Sequence, residues 1–200
     1  MYSVKFDIVG TAPIVFGRYV DDDELPKLRG MKSCDVLNKN CYLKAHTDDN
    51  GNVVTNQFSI KNMLVTAAGK SGDKCEWNKK AGMMGVFLTG FECPEPPIIT
   101  VNGKKIKAKN LDVWAAFIPS SPGANNMQAG GKRVLKRFPI IKKNWVMKNV
   151  RLIVEDDRIL PEKIEEYLIL GGRFVGLGSF RKERGGIWGK FVIKNFSKGK

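Results

Sequence analysis

The stretch from Pro161 to Ile193, PEKIEEYLILGGRFVGLGSFRKERGGIWGKFVI, constrains the fold more than any other part of the chain. It opens as a helix. Pro161 suits a first helical position, where the amide proton it lacks would have no partner. Glu162, Glu165 and Glu166 sit in the first turns, where the helix dipole favours negative charge. Ile164, Tyr167 and Leu168 recur three to four apart, so one face is apolar. Gly171 and Gly172 are expected to stop the helix with a left-handed cap. Beyond them the composition changes. Gly176, Gly178, Gly185, Gly186 and Gly189 alternate with Arg173, Arg181, Lys182, Arg184 and Lys190, and with Phe180 and Trp188. Such a mixture supplies exposed amides, positive charge and flat rings, the materials of a loop that grips phosphates and stacks on bases. A plain surface loop into an edge strand needs fewer glycines and no such charge. The spacing is not that of a Walker loop or a dinucleotide fingerprint, since no GK[ST] follows. Lys190 to Ile193 is expected to close the run as a strand.

The charge balance points to the same class of partner. The formal net charge is +14 over 200 residues, which signals a polyanion, nucleic acid more often than a membrane surface. It is also uneven: from Gly130 onward 18 Lys/Arg face 7 Asp/Glu, and no acid occurs between Asp112 and Glu155. Solubility alone would spread charge more evenly. The length suits one domain with an ample core. No stretch has the apolar length of a membrane span, and MYSVKFDIVG lacks the basic and apolar regions of a signal peptide, so a cytoplasmic location is expected. Cys34, Cys41, Cys75 and Cys93 form no CxxC pair, and reduced thiols are expected.

Along the chain, Tyr2, Val4, Phe6 and Ile8 alternate with polar residues and predict a half-buried strand. Ile14 to Phe16 continue it past a turn. The acidic run Asp21 to Glu24 reads as a solvated turn rather than a metal site, because neighbours on a strand point to opposite faces. Cys41 to Ala45 is a strand candidate, and Asp48 to Asn52 has hairpin-turn chemistry. Gln57 to Ser71 is the clearest helix, with Ser59 as N-cap, an apolar stripe from Ile60 to Ala68, and Gly69 and Gly72 at its end. Val86 to Leu88 reads as a strand. Ile98 to Lys109 reads as a hairpin around Asn102-Gly103, and Val113 to Ile118 as a buried strand. Ser120 to Gly131 is a mobile-loop candidate. Trp145 to Glu155 alternates as a strand. Two strand-rich segments, each followed by one helix, predict an α+β fold with a ferredoxin-like or RRM-like core. It is read as a single domain carrying an insertion around residues 73–130 and a C-terminal glycine-rich loop.

Three stretches together resemble the RAMP superfamily, the RNA-binding proteins of CRISPR systems. MYSVKFDIVGTAPIVFG is similar to its first strand and turn. VTNQFSIKNMLVTAAGK is similar to the turn entering its first helix, although Gln57-Phe58 stands where the superfamily has Pro-Gly. GGRFVGLGSFRKERGGIWGKFVI is similar to its last helix end, glycine loop and final strand. The resemblance implies a ferredoxin-like core that binds single-stranded RNA through the glycine loop and basic loops, with copies repeating along the strand. A phage or plasmid relative acting on single-stranded DNA fits the same residues.

The residues expected to contact nucleic acid fall in three groups. Lys61 lies on the first long helix. Lys132, Arg133, Lys136, Arg137, Lys142 and Lys143 lie in the acid-free stretch. Arg173, Gly178, Phe180, Arg181, Lys182, Arg184, Trp188 and Lys190 lie in the glycine-rich run. The sole histidine, His46, has no evident partner and reads as a surface residue. No nucleophile elbow, HExxH helix or paired-carboxylate motif appears. A non-catalytic binder of single-stranded RNA or DNA that forms homo-oligomers on the strand is therefore expected, without cofactor, metal or membrane. The alternatives are a metal-independent endoribonuclease and a purely structural subunit.

Overall fold

A computed structural model describes residues 1–28, 30–119 and 133–199. Strands β1 (Tyr2–Gly10) and β2 (Ile14–Val15) precede a short helix, α1 (Ser33–Lys39), and the hairpin β3 (His46–Thr47) and β4 (Val53–Val54). Helix α2 (Gln57–Ser71) is followed by a small hairpin, β5 (Lys74–Cys75) and β6 (Asn78–Gly82), then α3 (Met83–Thr89) and β7 (Phe91–Glu92). Next come β8 (Ile99–Val101), β9 (Lys104–Lys105) and a two-stranded ribbon, β10 (Asp112–Pro119) and β11 (Arg133–Ile141). The chain finishes with β12 (Trp145–Val154), α4 (Pro161–Leu170) and β13 (Phe191–Gly199). The protein is thus α+β with antiparallel sheets.

The main sheet runs β13-β1-β12-β8-β9, with β7 also paired to β12. Alternation in β1 decides its two faces. Val4, Phe6 and Ile8 lie opposite Leu152, Val150 and Met147, and all six are buried. Helices α2 and α4 cover this face through Ile60, Met63, Leu64 and Ala67, and through Ile164, Tyr167 and Leu168. The other face carries Lys5 opposite Arg151, both exposed. Asp7 sits at a double irregularity, because the register slips beside it toward both β12 and β13. Asn149 and Asn195 take left-handed φ values of 54° and 53° there. The Asp7 carboxylate holds both, accepting the Asn149 N–H at 2.8 Å and the Asn195 side-chain amide at 2.7 Å.

Several local expectations are corrected. Val86 to Leu88 belongs to helix α3, where Met83 and Phe87, four apart, both face the core; a short apolar run fits either period. Cys41 to Lys44 is a 3₁₀ turn that buries Cys41 and Lys44 three positions apart. The N-cap of α2 is Asn56, whose side chain accepts the Phe58 N–H at 2.8 Å, rather than Ser59. Gly69 lies inside α2, and Gly72 alone supplies the left-handed cap. The strand β10 is exposed rather than buried, with Val113 54% and Phe117 67% accessible. The loop Ser120 to Gly131 lies outside the described residues.

Gly171 and Gly172 do not cap α4. Gly171 stays right-handed (φ −58°), the chain makes one π turn to Val175, and Gly176 (φ 81°) ends it. The two glycines serve close packing instead. A Cβ on Gly171 would lie 1.9 Å from the Met63 sulfur of α2, and one on Gly172 2.3 Å from the Phe191 carbonyl oxygen of β13. The C-terminal end of α4 is therefore pressed between α2 and the edge of the main sheet. That contact fixes where the glycine-rich loop begins.

Candidate nucleic-acid interface

The glycine-rich loop is built as a packed scaffold. The Leu177 N–H donates to the Gly189 carbonyl (2.9 Å), the Gly189 N–H to Pro13 (2.7 Å) and the Ser179 N–H to Val15 (2.8 Å). Gly186 and Gly189 lie so close to the opposing backbone that a Cβ would sit 1.7 Å and 1.9 Å from the carbonyl oxygens of Phe180 and Leu177. These amides are engaged inside the protein and do not form an open cradle. The rings are engaged as well. Trp188 meets Trp114 edge to face with ring centroids 4.4 Å apart, and Phe180 meets Trp114 at 5.0 Å and Phe138 at 5.1 Å. Trp114 and Phe138 are cross-strand partners on one face of the β10–β11 ribbon. The expected stacking rings therefore clamp this ribbon onto the loop, an arrangement their edge-to-face geometry favours.

Beside the loop lies a cleft of about 270 Å³. One wall is the loop itself, through Gly178, Ser179, Arg181 and Arg184. A second is the segment after β2, with Gly17 and Arg18. A third is the first turns of α2, with Asn56, Ser59 and Asn62, where the helix dipole favours an anion. Lys44 and His46 complete the lining, and no Asp or Glu contributes to it among the described residues.

Lys44 is the unusual member. It is only 6% exposed. Its ammonium donates to the Arg137 carbonyl oxygen at 2.6 Å and lies 4.3 Å from the centre of the Phe138 ring. Among the described residues it has no carboxylate partner. Burial lowers its pKa below the usual lysine range, with Lys136 adding repulsion. Arg18, by contrast, is bonded to Glu24 and to the Leu43 carbonyl. His46 is pushed toward its neutral form, first by burial and then by Arg18. Tyr19 and Phe58, neighbours in sequence of the cleft residues Arg18 and Ser59, are 82% and 60% exposed.

The other expected contact residues distribute unevenly. Gly178, Arg181 and Arg184 reach the cleft, and Arg181 does so tied to Glu183 at 2.8 Å and to the Gly178 carbonyl at 3.3 Å. On β11, strand alternation puts Lys136 on the Phe138 face of the ribbon and Arg133 and Arg137 on the opposite face. Lys142 pairs with Asp112 at 3.3 Å, and Lys143 is exposed in the following turn. Arg173 and Lys182 approach Phe174 on the far side of the loop. Lys190 accepts two amides on its carbonyl, from Thr11 and Ala12. Lys61 is half-buried on α2 and does not line the cleft. Lys132 lies outside the described residues.

Sequence reasoning overlooked Arg18, Lys44, Asn56 and Ser59, and placed His46 on the surface. The available signal for Lys44 was one lysine inside the otherwise apolar run Cys41 to Ala45. Among the described residues, no three metal-ligating side chains gather in one place. The four cysteines are unpaired, and burial raises the pKa of Cys93 to about 11. No helix among the described residues is long and apolar enough to cross a membrane. The sequence matches no protein-family model and no curated protein.

Proposed function

We propose that this protein binds single-stranded nucleic acid, RNA or DNA, without cutting it, and that the strand's phosphates enter the cleft between α2 and the glycine-rich loop. Lys44 carries this reading. A nearly buried ammonium without a carboxylate is costly to keep, and it lines an acid-free cleft beside Arg184 and a helix N-terminus. A phosphate there gains three kinds of favourable contact at once. Exposed Tyr19 and Phe58, next in sequence to cleft residues, offer faces for unstacked bases. The open face of the main sheet offers none. Its register positions hold Lys5, Arg151, Val9, Val146 and Val192, with no ring for the base stacking an RRM sheet performs.

The sheet order supports a ferredoxin-like core, and the RAMP reading rests on the sequence resemblance. Helix α2 lies between β1 and β8, α4 lies between β12 and β13, and the strands run β13-β1-β12-β8. This is the split βαβ pattern with a β-hairpin-like return in the middle. With +14 per chain, free copies repel, and repetition along a strand is the expected mode of assembly.

The test is a salt titration of a labelled single strand by fluorescence anisotropy. If roughly five phosphates are neutralised, log affinity falls against log salt with a slope of about −3 to −4. An affinity indifferent to salt would sink the proposal. The two loop arginines separate in the same assay. Arg184 is exposed and has no ion pair among the described residues, so Arg184→Ala is expected to weaken binding while the melting temperature holds within about 1 °C. Arg181 holds Glu183 and the Gly178 carbonyl, so Arg181→Ala is expected to cost about 1 kcal/mol and lower the melt by about 3 °C.

A metal-independent endoribonuclease is the second reading, favoured by the position of His46. Its imidazole lines the cleft, held neutral by burial and Arg18, which is the state a general base requires. Incubation of labelled RNA with a chelator decides between the two. Intact RNA supports the binder, and cleavage lost in His46→Ala supports the enzyme.

A further inference from the structure

The 3₁₀ turn Lys182–Arg184 has two sides. Arg184 lines the cleft, while Lys182 and Glu183 line a separate groove of about 470 Å³. Helix α2 passes under both. Ser59, Asn62 and Met63 line the cleft, and Ala67, Lys70 and Ser71 line the groove. Steps of three and four place all six on one stripe of the helix. From Asn62 to Lys70 the helix rises about 12 Å, so the two depressions lie in sequence along one track.

The groove is bounded by Phe174, a residue that is 40% exposed. The Arg173 guanidinium carbon and the Lys182 ammonium each lie 5.0 Å from its centre. Lys70, Arg173 and Lys182 form no ion pair among the described residues, and Glu183 is already held by Arg181. Phe174 thus differs from Phe180 and Trp188, whose rings are interlocked with the ribbon. It is a partly exposed ring beside three cations that form no ion pair among the described residues.

We infer that this groove is a second subsite for the same strand, taking an unstacked base on Phe174 and the adjoining phosphates on Arg173, Lys182 and Lys70. The inference rests on the strand-binding reading of the cleft. A base that stacks on the ring outweighs an exposed cation–π contact, so the displaced cation swings to the phosphate that arrives with the base. The cations select a polyanion over an apolar peptide, because a peptide filling the groove would leave Lys70 and Lys182, which line it, and the adjacent Arg173 without counter-ions.

The experiment compares labelled oligothymidylates of about four and about sixteen nucleotides, which bracket usual single-strand site sizes. Phe174→Ala is expected to weaken the long strand about tenfold and leave the short one unchanged, whereas Arg184→Ala weakens both. Phe174→Trp is expected to retain full affinity. Phe174→Leu, which keeps apolar bulk without a ring, is expected to behave like the alanine variant. If Phe174→Ala leaves the long strand's affinity intact while Arg184→Ala weakens it, the subsite is overturned and the cleft reading stands. Full affinity in Phe174→Leu likewise overturns stacking on this ring. If neither strand nor the matching oligouridylate binds the unaltered protein, the cleft reading falls and the subsite falls with it.

Discussion

Replacing Gly189 with alanine is expected to destabilise the protein by about 4 kcal/mol and to lower the melting temperature by about 10 °C. Two costs add at this position. Its φ of +73° lies in the left-handed region, where a side chain costs about 1–2 kcal/mol. The new Cβ would also sit 1.9 Å from the Leu177 carbonyl oxygen and 2.8 Å from the Leu177 nitrogen. Neither neighbour is the free end of a side chain, so relief requires breaking the Leu177–Gly189 hydrogen bond or moving the two loop segments against Pro13. Gly185 is the control. Its φ is +75°, but nothing lies within 4 Å of a Cβ there, so Gly185→Ala is expected to cost only about 1 kcal/mol. Thermal melts of the two variants decide whether the loop is a packed scaffold. Equal small losses would mean that it is free to rearrange.

The largest effect on binding is expected at Lys44. Lys44→Met is expected to weaken a single strand about thirtyfold, equivalent to about 2 kcal/mol, which is typical of a hydrogen bond to a charged group. The melting temperature is expected to hold or rise, because a buried ammonium without a carboxylate is replaced by an apolar chain of similar length. The pH dependence separates the two roles further. The unfolded lysine titrates near 10.5, and burial lowers the folded value. Between those values the unfolded chain holds the extra proton, so stability rises as pH climbs through the folded pKa toward 10.5. Strand affinity moves the opposite way, since the phosphate needs the ammonium and loses it over the same interval. Anisotropy and melting, followed together from neutral to alkaline pH, read both trends. A melt that collapses in Lys44→Met would make the Arg137 carbonyl bond the residue's purpose.

What the chain states locally, it states well. Alternation in Tyr2 to Ile8, and in Trp145 to Val154 on either side of the irregularity at Asn149, specifies strands with one buried face, because side chains on a strand point alternately to either side. The stripe from Ile60 to Ala68 specifies α2, and Asn102-Gly103 specifies the turn between β8 and β9, where both residues take positive φ. The net charge and its concentration toward the C-terminus are likewise fully present in the residue order.

Short or isolated signals are settled only by contacts far along the chain. Val86 to Leu88 became helical because Phe87 packs edge to face on Tyr167, eighty positions away, and on Phe91. Gly171 and Gly172 resembled a helix stop until Met63 and Phe191 were seen to occupy the space a side chain would need. Phe180 and Trp188 looked available for bases, but Trp114 and Phe138 claim their faces. The cleft has no linear signature at all. Arg18, Lys44, Asn56 and Arg184 become neighbours only when β2, the Cys41–Lys44 turn, α2 and the glycine-rich loop pack together. Composition and periodicity thus determined most of the elements and the charge, since both depend on a residue and its near neighbours. The packing determined which cations, amides and rings remain free and which are already engaged, since burial and pairing depend on residues that sequence order keeps apart.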